Sequence, residues 1–101
     1  MTNEKTKREI EKAIKNASFL MERGTTNLLK AKGAGKKYGL LVGKTIFEVS
    51  ETLSAAQVNV DTAIRTITEY VNNANDAITK SYELGKILGL QLAIYLIEKY
   101  N

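Results

Sequence analysis

The sequence predicts an all-α protein, an antiparallel bundle of long helices with coiled-coil-like packing. Three observations predict it. Proline is absent and seven glycines are the only strong breakers, so little interrupts a helix. Apolar positions recur in alternating steps of four and three, from Ile10 through Ile14, Ala17, Met21 and Leu28 to Val42. The alternation resumes from Ile46 through Leu53, Ala56, Val60 and Ile67 to Tyr70, and again from Ile78 through Gly85, Leu88 and Leu92 to Tyr95. That 3.5-residue period belongs to helices lying side by side at a shallow angle. Almost nothing alternates with the period of two that a strand needs.

Taken in order, three helices are expected over 3–32, 36–71 and 75–100, with four shorter ones as the alternative. The first break is placed at "KGAGKK" (32–37), where Gly33 and Gly35 stand close together. The second falls in "VNNANDAITK" (71–80), rich in residues that cap helices and accept turns. Asn73 or Asn75 is the expected cap, with Asp76 in the first turn beyond it. Gly24 followed by two threonines, or a capping-box pattern at Ser54, would supply the breaks of a four-helix chain. Folding the first pair about residue 33 sets Gly43 opposite Gly24 and Gly39 opposite Leu28. Folding the second about residue 73 brings Gly85 and Gly89 beside Asp61 to Val58.

Gly35, Gly39 and Gly43 are one helical turn apart, as are Gly85 and Gly89. Glycine costs a helix interior about 1 kcal/mol relative to alanine. Close approach of a second backbone is the expected compensation.

Composition bounds the function. The chain has 101 residues, 44% hydrophobic and 26% charged, which suits one globular domain over 1–101. Cysteine and histidine are both absent. Thiol chemistry, disulfides and cysteine metal sites are excluded, and the commonest metal ligand and general base are missing. Glu48 and Glu51 share a helix face and Glu9 and Glu11 are near neighbours, but no histidine or polar pocket accompanies them. These residues, with Glu22 and Asp61, read as solvated charges, and Tyr82, Tyr95 and Tyr100 as core or rim. No catalytic, cofactor or metal residue is assigned, and an enzyme is not expected.

The stretch "YGLLVGKTIF" (38–47) superficially suggests a phosphate-binding loop, since it contains Gly-Lys-Thr. Such a loop needs four residues between its glycines and a buried strand before it. Only Leu40, Leu41 and Val42 separate Gly39 from Gly43, and "KAKGAGKK" precedes them. It reads instead as a helix packing face.

Charge is unevenly spread. Arg23, Lys30, Lys32, Lys36, Lys37 and Lys44 fall in a stretch with no acid, whereas Glu48 to Asp76 holds five acids and only Arg65. On the three-helix reading the lysines gather at a hairpin tip, with Lys36 and Lys37 at a helix start beside free N–H groups. Lys30, Lys32, Lys36, Lys37 and Lys44 are therefore candidate contacts for an anion or a nucleic acid. With one arginine and one nearby aromatic, Tyr38, such binding should be nonspecific in sequence and salt-dependent.

The last helix is apolar in nearly every direction between Leu84 and Ile97. A helix of that kind is buried all round. An identical chain is the expected cover, with Gly85, Gly89, Ile94 and Ile97 as candidate self-association residues. The run is too short to cross a bilayer, which takes about 18 apolar residues. Lys86, Glu98 and Lys99 do not form the basic face of a membrane-surface helix. The N-terminus mixes charges of both signs and has no apolar signal region. A cytoplasmic, non-enzymatic, self-associating structural or protein-interaction module is the expectation, and a nucleic-acid-binding accessory protein the alternative.

Overall fold

The structure, a computed structural model, describes residue 1 and residues 3–101. These form four helices and no strand: α1 (Glu4–Arg23), α2 (Asn27–Val49), α3 (Leu53–Asn73) and α4 (Ala77–Tyr100). The all-α expectation holds, and the four-helix alternative replaces three long helices. Capping explains where the chain breaks. Thr26 Oγ1 accepts from the N–H of Leu29 at 3.1 Å, and Thr52 Oγ1 from that of Ala55 at 3.1 Å. A threonine cap is worth about 1 kcal/mol, comparable with the propensity cost of one glycine. Gly33 and Gly35 therefore stay helical because packing needs them, while the uncapped Ser54 is already inside α3.

Asp76 caps α4 itself, in place of Asn73 or Asn75. Its carboxylate accepts from the N–H of Thr79 at 2.8 Å and from the Thr79 hydroxyl at 2.8 Å. These bonds, the backbone one foremost, hold its pKa below the ordinary aspartate value. A lowered carboxylate pKa contributes stability that is complete above the unfolded-state value and is lost as pH falls through the folded-state value. Urea titrations at neutral and acidic pH should therefore show Asp76→Asn, which keeps the capping oxygen, losing less stability on acidification than the parent.

The chain forms two hairpins, α1–α2 and α3–α4. A Cβ placed on Gly33 would lie 2.6 Å from Met21 N, so α1 and α2 pair Gly33 with Met21. Gly43 does not face Gly24, nor Gly39 Leu28. The centre of the molecule corrects the antiparallel expectation further. Going along α2, Gly35 abuts the α4 backbone at Tyr82 and Lys86, and Gly39 abuts it at Lys86 and Leu90. Contacts advance together along both helices, so α2 and α4 run parallel. Gly85 and Gly89 thus press on α2, at Lys32 to Leu40, and not on Asp61 to Val58.

The contact is reciprocal. Gly85 meets Lys32 and Lys36 just as Gly35 meets Tyr82 and Lys86; Gly89 meets Lys36 and Leu40 just as Gly39 meets Lys86 and Leu90. Each partner is fifty residues from its equivalent, as Gly85 is from Gly35. The two hairpins are therefore related by a pseudo-twofold axis along α2 and α4, the geometry of an isologous dimer within one chain. The same offset joins the buried positions of α1 (Thr6, Ile10, Ala17) to those of α3 (Ala56, Val60, Ile67). Helix α1 fills one groove of the central pair, packing Ile10 with Phe47, Leu96 and Ile97, and Ala17 with Leu40 and Ala93. Helix α3 fills the other, packing Val60 and Ile67 with Leu90. No glycine has positive φ among the described residues; those of α2 and α4 serve by lacking a Cβ.

Gly43 and Ala93 are equivalent positions, and a Cβ on Gly43 would run into that of Ala93. Gly43→Ala should cost about 1–3 kcal/mol of overpacking. Adding Ala93→Gly exchanges the two residues across the axis and should recover most of the loss in urea denaturation.

Candidate lysine-rimmed groove

The central position of α4 accounts for its all-round apolar character. Gly85, Gly89 and Ile97 are buried inside the chain, and Ile94 is half-buried against Val60, Ile67 and Leu90. These candidate self-association residues are engaged within one copy: α2 covers Gly85 and Gly89, α1 and α2 cover Ile97, and α3 packs on Ile94. What α4 leaves exposed is a different edge, with Leu84 and Leu88.

That edge borders a groove of about 560 Å³ between α2 and α4, lined by Leu28, Leu84, Ile87 and Leu88 and rimmed by Lys32 and Lys80. A second groove of about 490 Å³ continues from it toward α1, where Leu20, Leu29 and Leu92 join Leu88, with Lys32 and Lys36 at its edge. No carboxylate lines either groove. The surface is apolar at its floor and cationic at its rim.

The five candidate lysines do not form a hairpin tip. The α1–α2 turn lies at Gly24 to Thr26, so Lys32, Lys36 and Lys37 project from the interior of α2 and not from a helix start. Lys32 and Lys36 line the grooves. Lys30 is exposed near the start of α2, and Lys37 is half-buried elsewhere. Lys44 is drawn away by Glu11 at 3.3 Å and Glu48 at 4.0 Å. The ring of Tyr38, the aromatic nearest the lysines in sequence, lies 4.7 Å from the Lys86 ammonium. Among the described residues no three acidic groups gather as a metal site would require.

Sequence reasoning missed Lys80, Leu28, Leu84 and Leu88, and also a mostly buried ion pair on α4. Lys86 Nζ lies 3.2 Å from Glu83 Oε1, with the two side chains 14% and 12% exposed. The Tyr38 and Tyr82 rings lie 4.7 and 4.5 Å from the same ammonium. Glu83 Oε2 has no partner. The signal that could have found these features is the internal match at fifty residues, in which Lys36 and Gly39 repeat as Lys86 and Gly89.

Among the described residues no helix is long and apolar enough to cross a membrane. Comparison with known protein families, curated proteins and solved structures finds no match to this chain.

Proposed function

We propose that this chain is a non-enzymatic protein-interaction module, a four-helix platform that docks one helix of a partner protein in the groove between α2 and α4. The observation that carries this reading is the continuous apolar floor of Leu28, Leu84 and Leu88, left open between α2 and α4 beneath a rim of lysines. The groove follows α4 from Ala77 to Gln91, about 21 Å at 1.5 Å per residue. Four turns of a partner helix, with apolar anchors every three or four residues, match that length. Its leucines are only about two-fifths exposed and sit between lysines, a concave arrangement suited to a side-chain-bearing helix. A bilayer surface calls for apolar groups that protrude.

The nucleic-acid alternative keeps less support. Lys44 is paired with carboxylates, the Tyr38 ring lies against Lys86, and no arginine lines the groove. Self-association, if it occurs, needs a surface other than the buried Gly85, Gly89 and Ile97.

The test is selection of displayed, randomised amphipathic helices on the intact protein, with counter-selection on a Leu84→Glu, Leu88→Glu variant. Both leucines are substantially exposed, so the variant should fold. Helices that bind the parent and not the variant are expected; a selection yielding none would end the docking reading. Molar mass by light scattering, at rising concentration, reports whether a second copy competes for the same surface.

A further inference from the structure

The two halves of the molecule are twins, and one twin shows how the other is left unsatisfied. In the second half, Lys86 is enclosed by its own chain. Glu83 supplies the counter-charge at 3.2 Å, and Tyr38 and Tyr82 approach its ammonium with their rings. The pseudo-twofold places Lys36 where Lys86 stands, and all three companions change. Gly33 replaces Glu83, Leu88 replaces Tyr38 and Lys32 replaces Tyr82. The counter-charge is gone, a second cation has been added, and the ring positions are left to the groove of about 490 Å³.

The missing carboxylate cannot return from within. Helix α1 lies so close at Gly33 that even a Cβ there would be 2.6 Å from Met21 N. Among the described residues neither Lys32 nor Lys36 forms an ion pair. Lys36 is half-buried, its backbone pressed on Gly85 and Gly89, and a partner that covers the groove would desolvate a cation that has no counter-charge within the chain. Whatever covers the groove should bring the negative charge.

We propose that Lys32 and Lys36 recognise a carboxylate carried by the docked helix, so that the partner segment is an acidic amphipathic helix of another protein. This rests on the docking reading and adds the partner's chemistry to it. A second copy of this chain is a poor source of that helix. On α3, its one helix of net negative charge, Asp61 is already paired with Arg65 at 2.9 Å, and Val58 and Tyr70 are its only large, well-exposed apolar groups. The ammonium groups would meet the partner carboxylate at the apolar edge, where charge complementarity fixes register and discriminates against basic helices.

The experiment uses fluorescently labelled versions of groove-dependent helices from the selection. Each acidic residue is replaced by its amide, and binding is measured at moderate salt to the parent and to Lys32→Glu, Lys36→Glu protein. One glutamate is expected to matter most, its amide version binding about tenfold more weakly. The charge-reversed protein should lose a similar factor, and a peptide with lysine at that position should regain it. If groove-dependent helices emerge but bind equally as amides and ignore the charge reversal, the docking reading stands and the carboxylate assignment falls. If no groove-dependent helix emerges, both fall together. If vesicles one-third phosphatidylserine bind through Leu84 and Leu88 as tightly as any helix, the partner is a membrane surface and the assignment to a protein is overturned.

Discussion

Gly39→Leu should leave the chain without a cooperative unfolding transition, as followed by circular dichroism in urea. Two effects of opposite sign compete at this position. Any side chain gains roughly 1 kcal/mol of helix propensity over glycine. Against that, the first added carbon already meets the Lys86 carbonyl and lies 3.0 Å from Leu90 N. Backbone cannot rotate away as a side chain can, so α2 and α4 must separate. Separation opens the core on both sides, because Leu40 and Leu90 are fully buried on the two members of this pair. Overpacking alone costs about 1–3 kcal/mol, and loss of the shared core takes the total into the whole stability of a small domain, about 5–15 kcal/mol. Gly39→Ala is the graded version and should be destabilised by about 2 kcal/mol. An alanine variant more stable than the parent would mean that α2 and α4 do not touch there.

The second large effect is Ile97→Glu. Ile97 is fully buried with Ile10, Phe47 and Leu96, where α1, α2 and α4 meet. Glutamate there removes a well-packed side chain and leaves a carboxylate with no partner, a combination costing about 4 kcal/mol or more. That is a large share of a small domain's stability, and the urea midpoint should fall sharply. Leu88→Glu, at a site 39% exposed, should cost less than about 1 kcal/mol. The pair separates two ideas about α4. If Ile97→Glu folds normally and only lowers molar mass, the helix is covered by another copy; if its urea midpoint falls sharply, the helix is covered by its own chain.

What the sequence disclosed follows from which forces are local. The four-and-three spacing of apolar residues is a property of each helix alone, so helicity and the general core positions were legible. Gly24 and its following threonines were legible as a break too, but two nearby glycines in "KGAGKK" offered a stronger local signal for the wrong turn. Only tertiary packing decides between them, since Gly33 and Gly35 are helical because Met21 and Tyr82 press against them. That displaced turn then misplaced the lysines, turning two groove residues, Lys32 and Lys36, into a supposed tip. The parallel α2–α4 contact lay outside hairpin reasoning altogether. A comparison of the chain with itself at a shift of fifty residues was the observation that would have exposed it.

The twinned halves also govern how the molecule should assemble in time. Each hairpin closes through a short turn, so its contacts form quickly. Neither hairpin owns a complete core, however, because Phe47 and Leu40 from one half and Ile97 and Leu90 from the other occupy shared clusters with α1 and α3. The decisive step is the meeting of the two glycine faces across the short Ser50–Thr52 link. Cutting that link should turn folding from a reaction whose rate ignores protein concentration into a bimolecular one whose rate rises with it.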